Sequence, residues 1–213
     1  MRPRRHGSGL AVQRFMALEW AAMKALVLFF LSASATIMAA ANDPAPSHAR
    51  VRPAEWAAPV IESSLDNLFR VSPELFRCEQ PATSDLADLR VLGVRSLLNL
   101  RHHHTDSADF AKAGLTLLAE PMDAGSVTFD QLVAALRKFR AAPKPVVVHC
   151  WHGSDRTGTF VAAYRIVFQD WAPAAALDEL RHGGFGFHER SFPNLVELLA
   201  TLNVDALRRR VME

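Results

Sequence analysis

Five residues, Trp151, His152, Gly153, Ser154 and Asp155, separate the thiol of Cys150 from the guanidinium of Arg156. A thiolate is a strong nucleophile, and arginine is a planar, permanently charged fork that can hold two oxygens of a tetrahedral oxyanion. The flanking residues suit that use. Val146, Val147 and Val148 make an apolar β-branched run before the cysteine, and a helix is expected to open at Arg156 and Thr157. A buried strand that ends in a tight loop and feeds a helix is an anion site, because the first helical turn leaves N–H groups unpaired at the positive end of the dipole. The amides of the loop can turn inward on the oxyanion, and the same field favours thiolate at Cys150. A loop of this kind binds phosphate and attacks it. The competing reading is a buried cysteine followed by an unrelated helix-capping arginine.

The rest of the chain must supply the strand, the helix and their supports. Leu68, Phe69 and Val71, then Leu75, Phe76 and Cys78, make two short strand-like runs around a Ser72-Pro73-Glu74 turn signal. Residues 80–85 lead into Leu86, Leu89, Val91 and Leu92 and stop at Gly93, the pattern of a capped amphipathic helix. Residues 96–100 read as a strand, 105–113 as a helix stopped by Gly114, and 115–119 as another strand. Apolar residues at 129, 132, 133, 136 and 139 give 128–140 a helical period, and Pro143 and Pro145 end it before the central strand. Residues 159–168, apolar nearly all round, predict a buried helix behind the loop; 173–181 and 194–202 predict two more. Strands alternating with helices predict an α/β fold with a mostly parallel central sheet of about four to five strands flanked by helices.

With 213 residues, 50% apolar and 22% charged, the chain suits one ordinary α/β domain with a packed core and a short appendage. Its formal charge of +2 is unevenly spread. Residues 1–41 hold Arg2, Arg4, Arg5, Arg14 and Lys24 against Glu19 alone; without them 19 basic residues face 21 acidic ones, a net of −2. No broad positive footprint for nucleic acid remains, so attraction for phosphate must be local to the loop. Two cysteines, Cys78 and Cys150, make neither a disulfide framework nor a metal-ligand spacing. Three consecutive imidazoles, His102-His103-His104, cannot all face one ion from a regular element, so this run is expected as a solvated loop or an edge of the pocket. No metal and no cofactor is expected. Cys78 raises one redox idea, a reversible disulfide with Cys150 in an oxidising compartment, against plain packing.

Three segments follow: 1–41, a basic extension plus signal peptide; 42–60, a linker with Pro44, Pro46, Pro53 and Pro59; and 61–213, the catalytic domain. Lys24, the apolar stretch 25–31 and the exit Ala39-Ala40-Ala41 fit a secretory signal peptide over about 23–41, with Met23 as an alternative start. A secreted or periplasmic protein is therefore expected. The alternative is an uncleaved inner-membrane anchor, since residues 25–41 are at the lower length limit for spanning a bilayer; it would hold the domain close to a membrane.

The stretch His149-Cys150-Trp151-His152-Gly153-Ser154-Asp155-Arg156-Thr157-Gly158 resembles the signature loop of cysteine-dependent protein tyrosine and dual-specificity phosphatases. Their pattern is His-Cys, five residues, then Arg and Ser or Thr, with Gly in the middle. The resemblance continues outward. Phe76-Arg77-Cys78-Glu79-Gln80-Pro81 and Leu97-Leu98-Asn99-Leu100-Arg101 are similar to the aromatic-Arg-Ser-x-Gln-Pro segment and the Asn-Leu-Arg strand end of bacterial and fungal dual-specificity-like members. Residues 182–188 resemble their segment after the loop, so the likeness covers roughly 66–205, with Cys78 where a small hydroxyl residue is expected. It implies a protein tyrosine phosphatase-like fold and a phosphatase whose partner is a phosphorylated protein or a small phosphorylated substrate.

On that resemblance Cys150, Arg156 and Asp123 are the catalytic residues. Cys150 attacks phosphorus in line and forms a thiophosphate ester, Arg156 holds two equatorial oxygens, and the N–H groups of residues 151–156 supply further donors. Thr157 either hydrogen-bonds the sulfur or is an ordinary helix-start hydroxyl, and His149 orients the loop. The family's general acid is an Asp on a loop before the helix preceding the signature. Asp123 fits, against a plain turn Asp beside Gly125; Asp130 and Glu120 are weaker candidates. Trp151, His152, Gly153, Ser154, Asp155 and Thr157 are the substrate-binding residues, with Asn99, Arg101, His103 and Phe187 lining the pocket from outside. Asp155 departs from the pattern, because a carboxylate opposes the field that binds phosphate. Its Asp-Arg-Thr context resembles myotubularin-type phosphoinositide phosphatases, so Asp155 either meets the substrate or pairs with a neighbouring His or Arg. The expected substrate is a phosphotyrosine or phosphoserine/threonine protein. The alternatives are a phosphoinositide, inositol phosphate or envelope sugar phosphate, or a phospho-ligand-binding pseudo-enzyme, which the presence of both Cys150 and Arg156 disfavours.

Overall fold

The computed structural model describes residues 51–213, and four parallel strands form the centre of its sheet. They lie side by side in the order β3 (Leu75–Cys78), β6 (Val146–His149), β4 (Ser96–Arg101) and β5 (Thr116–Met122). Two antiparallel strands, β2 (Phe69–Ser72) and the short β1 (Ala58–Pro59), extend the β3 edge, so the sheet has six strands where four to five were expected.

β6 is central because its valines can be buried on both faces. Val146 and Val148 pack into the layer built by α3 (Phe129–Ala141), α4 (Asp155–Phe168), α6 (Pro193–Ala200) and α7 (Val204–Met212). Val147 packs the other way, with Phe76 and Leu97, against Leu89 of α1 (Leu86–Val91) and Phe110 of α2 (Ala108–Lys112). α5 (Pro173–His182) covers α4 through Ala176, Leu177 and Leu180 against Ala162 and Ile166. A helix with apolar residues on every side belongs in the middle of such a layer, and α4 is the buried one. Buried Arg165 of α4 is pinned to Glu179 of α5 by two bonds, of 2.8 and 2.7 Å. α3 opens with a capping box, in which Thr128 and Gln131 each accept the other's N–H, at 3.2 and 3.0 Å.

One boundary and one helix differ from the sequence reading. Residues 52–60, expected as the end of a linker, are part of the compact unit that runs from Arg52 to Glu213. Trp56 and Ala57 are buried, the Ala57 N–H donates to Glu179 Oε1 (2.7 Å), and the Arg52 fork donates to the carbonyls of Gly183 and Ala57. Prolines there remove helical periodicity without preventing packing. α7 was also missed: its three arginines obscure Leu207 and Val211, which are buried one turn apart. The basic extension and signal peptide lie outside the described residues.

Candidate active site

Parallel strands bring their C-terminal ends to one edge of a sheet, and the loops leaving β3, β6, β4 and β5 meet there. Cys150 directly follows β6 and is 2% exposed. The strand register sets His149 beside Cys78 on one side and Asn99 on the other. Every carbonyl of the loop 150–154 is held from outside. That of Cys150 faces His149 Nδ1 (3.3 Å), and that of Trp151 accepts the Gln80 N–H (3.0 Å). The carbonyl of His152 accepts Asn67 Nδ2 (2.7 Å), that of Gly153 accepts Arg77 Nη2 (2.6 Å), and that of Ser154 accepts the Gly158 N–H (2.9 Å). In a trans peptide the carbonyl and the following N–H point opposite ways. These five contacts therefore turn the N–H groups of residues 151–155 away from their partners, into the loop. None of those N–H groups, nor that of Arg156, has a partner among the described residues. A ring of unpaired donors at a helix N-terminus is a cradle for an oxyanion. Gly153 closes it, with φ +68° and room for no side chain: a Cβ there would lie 2.4 Å from the Cys78 carbonyl oxygen.

His149 is buried between two acceptors, with Nε2 3.1 Å from Asp106 Oδ2. The other Asp106 oxygen accepts from Asn99 (3.1 Å) and Gln80 (3.2 Å), and Gln80 in turn accepts from Arg101 (2.9 Å). Burial first, and then the Arg101 charge, lower the His104 pKa, which suits its Nε2 as acceptor for the Gln80 amide (2.6 Å). Asp106 is thus the hub that fixes the His149 ring against the loop. Asp106→Ala should lower stability by about 1–3 kcal/mol, because it leaves buried donors without an acceptor. Chemical denaturation checks this, and an unchanged midpoint would remove Asp106 from that role.

Arg156 opens α4 together with Asp155. Its Nη1 donates to the carbonyl of Met122, the last residue of β5 (3.1 Å), while its buried Nε has no partner among the described residues. Asp123 therefore follows directly on the residue that Arg156 grips. Asp123 is exposed; one carboxylate oxygen accepts the Gly125 N–H (2.8 Å) and the other takes no bond among the described residues. The weaker candidates are already occupied, Asp130 by Arg210 (2.5 Å) and Glu120 by Lys138 (2.6 Å). Thr157 is fully buried, and its hydroxyl has no partner among the described residues. An ordinary helix hydroxyl bonds back to the carbonyl four residues earlier, as Thr159 does to Asp155 (2.8 Å), so Thr157 is not used in that way.

Of the two readings left open for Asp155, the structure takes the pairing with a neighbour. Its carboxylate accepts the His188 N–H (2.9 Å) and lies 3.0 Å from His188 Nδ1, so it is committed within the protein. Trp151 is 58% exposed, stacked on His152 at 5.7 Å between ring centroids and covered by the Arg101 guanidinium at 4.6 Å. These three form a rim. Buried Asn99 supports Asp106, Phe187 packs against the core, and His103 stacks on His102 in an exposed turn, so none of the three lines the cradle. Cys78 and Cys150 are both free thiols and face opposite layers of the sheet. A disulfide between them would need backbone movement. Burial, and then the Cys150 charge, push the Cys78 thiol well up, which keeps it inert.

Sequence reasoning missed the groups that hold the loop from behind: Asn67, Arg77, Asp106 and His188. Arg77 and His188 lie in the segments 76–81 and 182–188 that carry the family resemblance, but nothing in them gave these roles; Asp106 left a signal only as a carboxylate just past a strand ending in a histidine-rich turn.

Comparison with known proteins agrees with this geometry. A family model described as a polymorphic toxin system DSP-PTPase phosphatase matches residues 73–169. The dual specificity protein phosphatase TpbA of Pseudomonas aeruginosa is 37% identical over 162 residues, 75% of this chain and 72% of that protein. The crystal structure of TpbA superposes with a TM-score of 0.68 at 34% identity, covering 76% of this chain and 99% of the other; a TpbA complex with phosphotyrosine gives 0.66 over the same shares. The catalytic core of Siw14 from S. cerevisiae shares the fold, with a TM-score of 0.60 at 22% identity over 71% of this chain and 93% of that one. The chain belongs to the dual-specificity branch of the cysteine-dependent protein tyrosine phosphatases. It is a cysteine-based phosphatase.

Proposed function

We propose that the chain hydrolyses phosphomonoesters, phosphotyrosine in proteins foremost, by two in-line displacements at phosphorus that use Cys150, Arg156 and Asp123. The observation that carries this reading is the loop whose carbonyls are all tied back, so that its amides face inward beside a buried thiol. The Cys150 thiolate attacks phosphorus while the ester P–O bond breaks, and the leaving oxygen takes its proton from Asp123. Water then attacks the thiophosphate, gives its proton to Asp123, and the S–P bond breaks to restore thiolate and release phosphate. Arg156 and the loop amides hold the equatorial oxygens through both steps. Hydrogen bonding from Thr157 to the departing sulfur accounts for a buried hydroxyl that has no other partner among the described residues.

The half-exposed Trp151 ring, with the Arg101 charge over it, makes an aromatic and cationic rim that favours a flat aryl phosphate; the TpbA complex with phosphotyrosine supports the same class. The test is a panel of phosphotyrosine peptide, phosphoserine peptide, inositol phosphates and phospholipids, run with wild type and Cys150→Ser. Phosphotyrosine is expected to rank first, and a clear preference for an inositol or sugar phosphate would overturn that ranking.

If Asp123 is the acid, its importance must grow with the basicity of the leaving group. Asp123→Asn is expected to lower kcat by about 10²-fold or more on phenyl phosphate, and far less on 4-nitrophenyl phosphate, whose phenolate leaves unaided. Equal losses on both substrates would exclude the role.

The enzyme is proposed to act outside the cytoplasm, on the strength of the signal-like pattern over residues 23–41. Fractionation with N-terminal sequencing tests this; a full-length protein in the cytosolic fraction refutes it, and one retained in the membrane fraction identifies an anchor.

A further inference from the structure

We propose that Arg77 is a positioning residue: from behind the phosphate loop its guanidinium fixes the peptide groups after Gly153 and places a second, buried positive charge on the nucleophile's side of the sheet. The inference rests on the phosphatase reading above, which uses Arg77 in no step.

Arg77 lies on β3 beside Val148 of β6. Its neighbours Phe76 and Cys78 face the α1–α2 layer, so by strand alternation Arg77 faces the α4 layer, as Cys150 does. It is 1% exposed. Nη2 donates to the Gly153 carbonyl at 2.6 Å and approaches that of Ser154 at 3.5 Å. The guanidinium carbon lies 3.7 Å from the Phe185 ring centroid, and the buried Nε has no partner among the described residues.

A buried guanidinium normally faces a carboxylate, and among the described residues none lies within ion-pair distance of Arg77. Glu179, whose charge acts on it most, is already held by Arg165 and the Ala57 N–H. Burial pulls the Arg77 pKa down to about 10, while the charges of Glu179, then Cys150 and Cys78, push it up. It therefore stays cationic at neutral pH, although burying a charge in this way is unfavourable. A methionine would fill similar volume against Phe185 at no such cost, so packing does not explain the charge. Two features do. Holding the Gly153 carbonyl back aims the Ser154 N–H into the cradle, and a cation that feels the Cys150 thiolate stabilises it in return.

The test is the pH dependence of Cys150 alkylation by iodoacetamide, located by peptide mapping, together with inorganic phosphate affinity and thermal unfolding. Alkylation needs no turnover, so it reads Arg77 even if the proposed substrate class fails. For Arg77→Met the alkylation midpoint should rise by about one pH unit, and phosphate affinity should fall about tenfold with the loss of an aimed donor. Arg77→Lys keeps the charge but not the fork. It should return the midpoint most of the way to wild type and recover phosphate affinity only in part. A merely structural role would lower the melting temperature of Arg77→Met and leave its midpoint and phosphate affinity at wild-type values, which would overturn the proposal. Should Arg77→Met not fold, Arg77→Lys decides alone: wild-type phosphate affinity there overturns the positioning role, and reduced affinity supports it.

Discussion

Replacing Cys150 by serine is expected to abolish turnover, lowering kcat by about 10⁴-fold or more, while the protein stays folded and still binds substrate. The size of the loss follows from the surroundings of the side chain. A serine hydroxyl needs a base to become a nucleophile, and the adjacent imidazole is already engaged: His149 faces the Cys150 carbonyl with Nδ1 and Asp106 with Nε2. The inward-facing amides and Arg156 do not depend on the sulfur, so affinity for a phosphotyrosine peptide should persist in the variant. Steady-state kinetics on 4-nitrophenyl phosphate and calorimetric titration with the peptide measure the two halves of this result. Turnover equal to that of wild type would mean that the sulfur is not the nucleophile.

Arg156→Lys should lower kcat/KM on the order of 10³-fold, with most of the loss in kcat. Lysine keeps the charge but is a point donor, whereas the fork can follow charge as it spreads over equatorial oxygens in the transition state. The substitution also releases the Met122 carbonyl, and with it the tie between α4 and the turn that carries Asp123. Stability should fall by about 1 kcal/mol, because the carbonyl of buried Met122 loses its donor. Separate determination of kcat and KM checks the argument; a loss confined to KM would assign Arg156 to ground-state binding alone.

Asp155 marks the limit of sequence reasoning at this site. A carboxylate inside a phosphate loop could be read as a contact to substrate or as half of an internal pair, and nothing local distinguishes the two. His188 lies 33 positions away, and only the packing of the loop after α5 brings its N–H and ring to that carboxylate. Cys78 shows the same limit from the other side. The chain contains two cysteines, which invites a disulfide, yet strand alternation and register point them into opposite layers.

What the amino-acid sequence determined by itself is local: nucleophile and cation at a fixed spacing, a β-branched strand before them, an apolar helix after them, and the alternation that makes an α/β sheet. Hydrophobic periodicity and loop chemistry act over a few residues, so they can be read without coordinates. The tertiary structure alone decided what makes the loop a cradle. Asn67 and Arg77 hold its carbonyls from 85 and 76 positions away, and Asp106 steadies His149 from 43. Those pairings depend on which strand lies beside which, and in what register, and a periodic pattern contains no record of either. That residues 52–60 belong to the compact unit was hidden for a related reason: a proline-rich segment has no period to read, and its place is set by the Glu179 carboxylate that receives the Ala57 N–H.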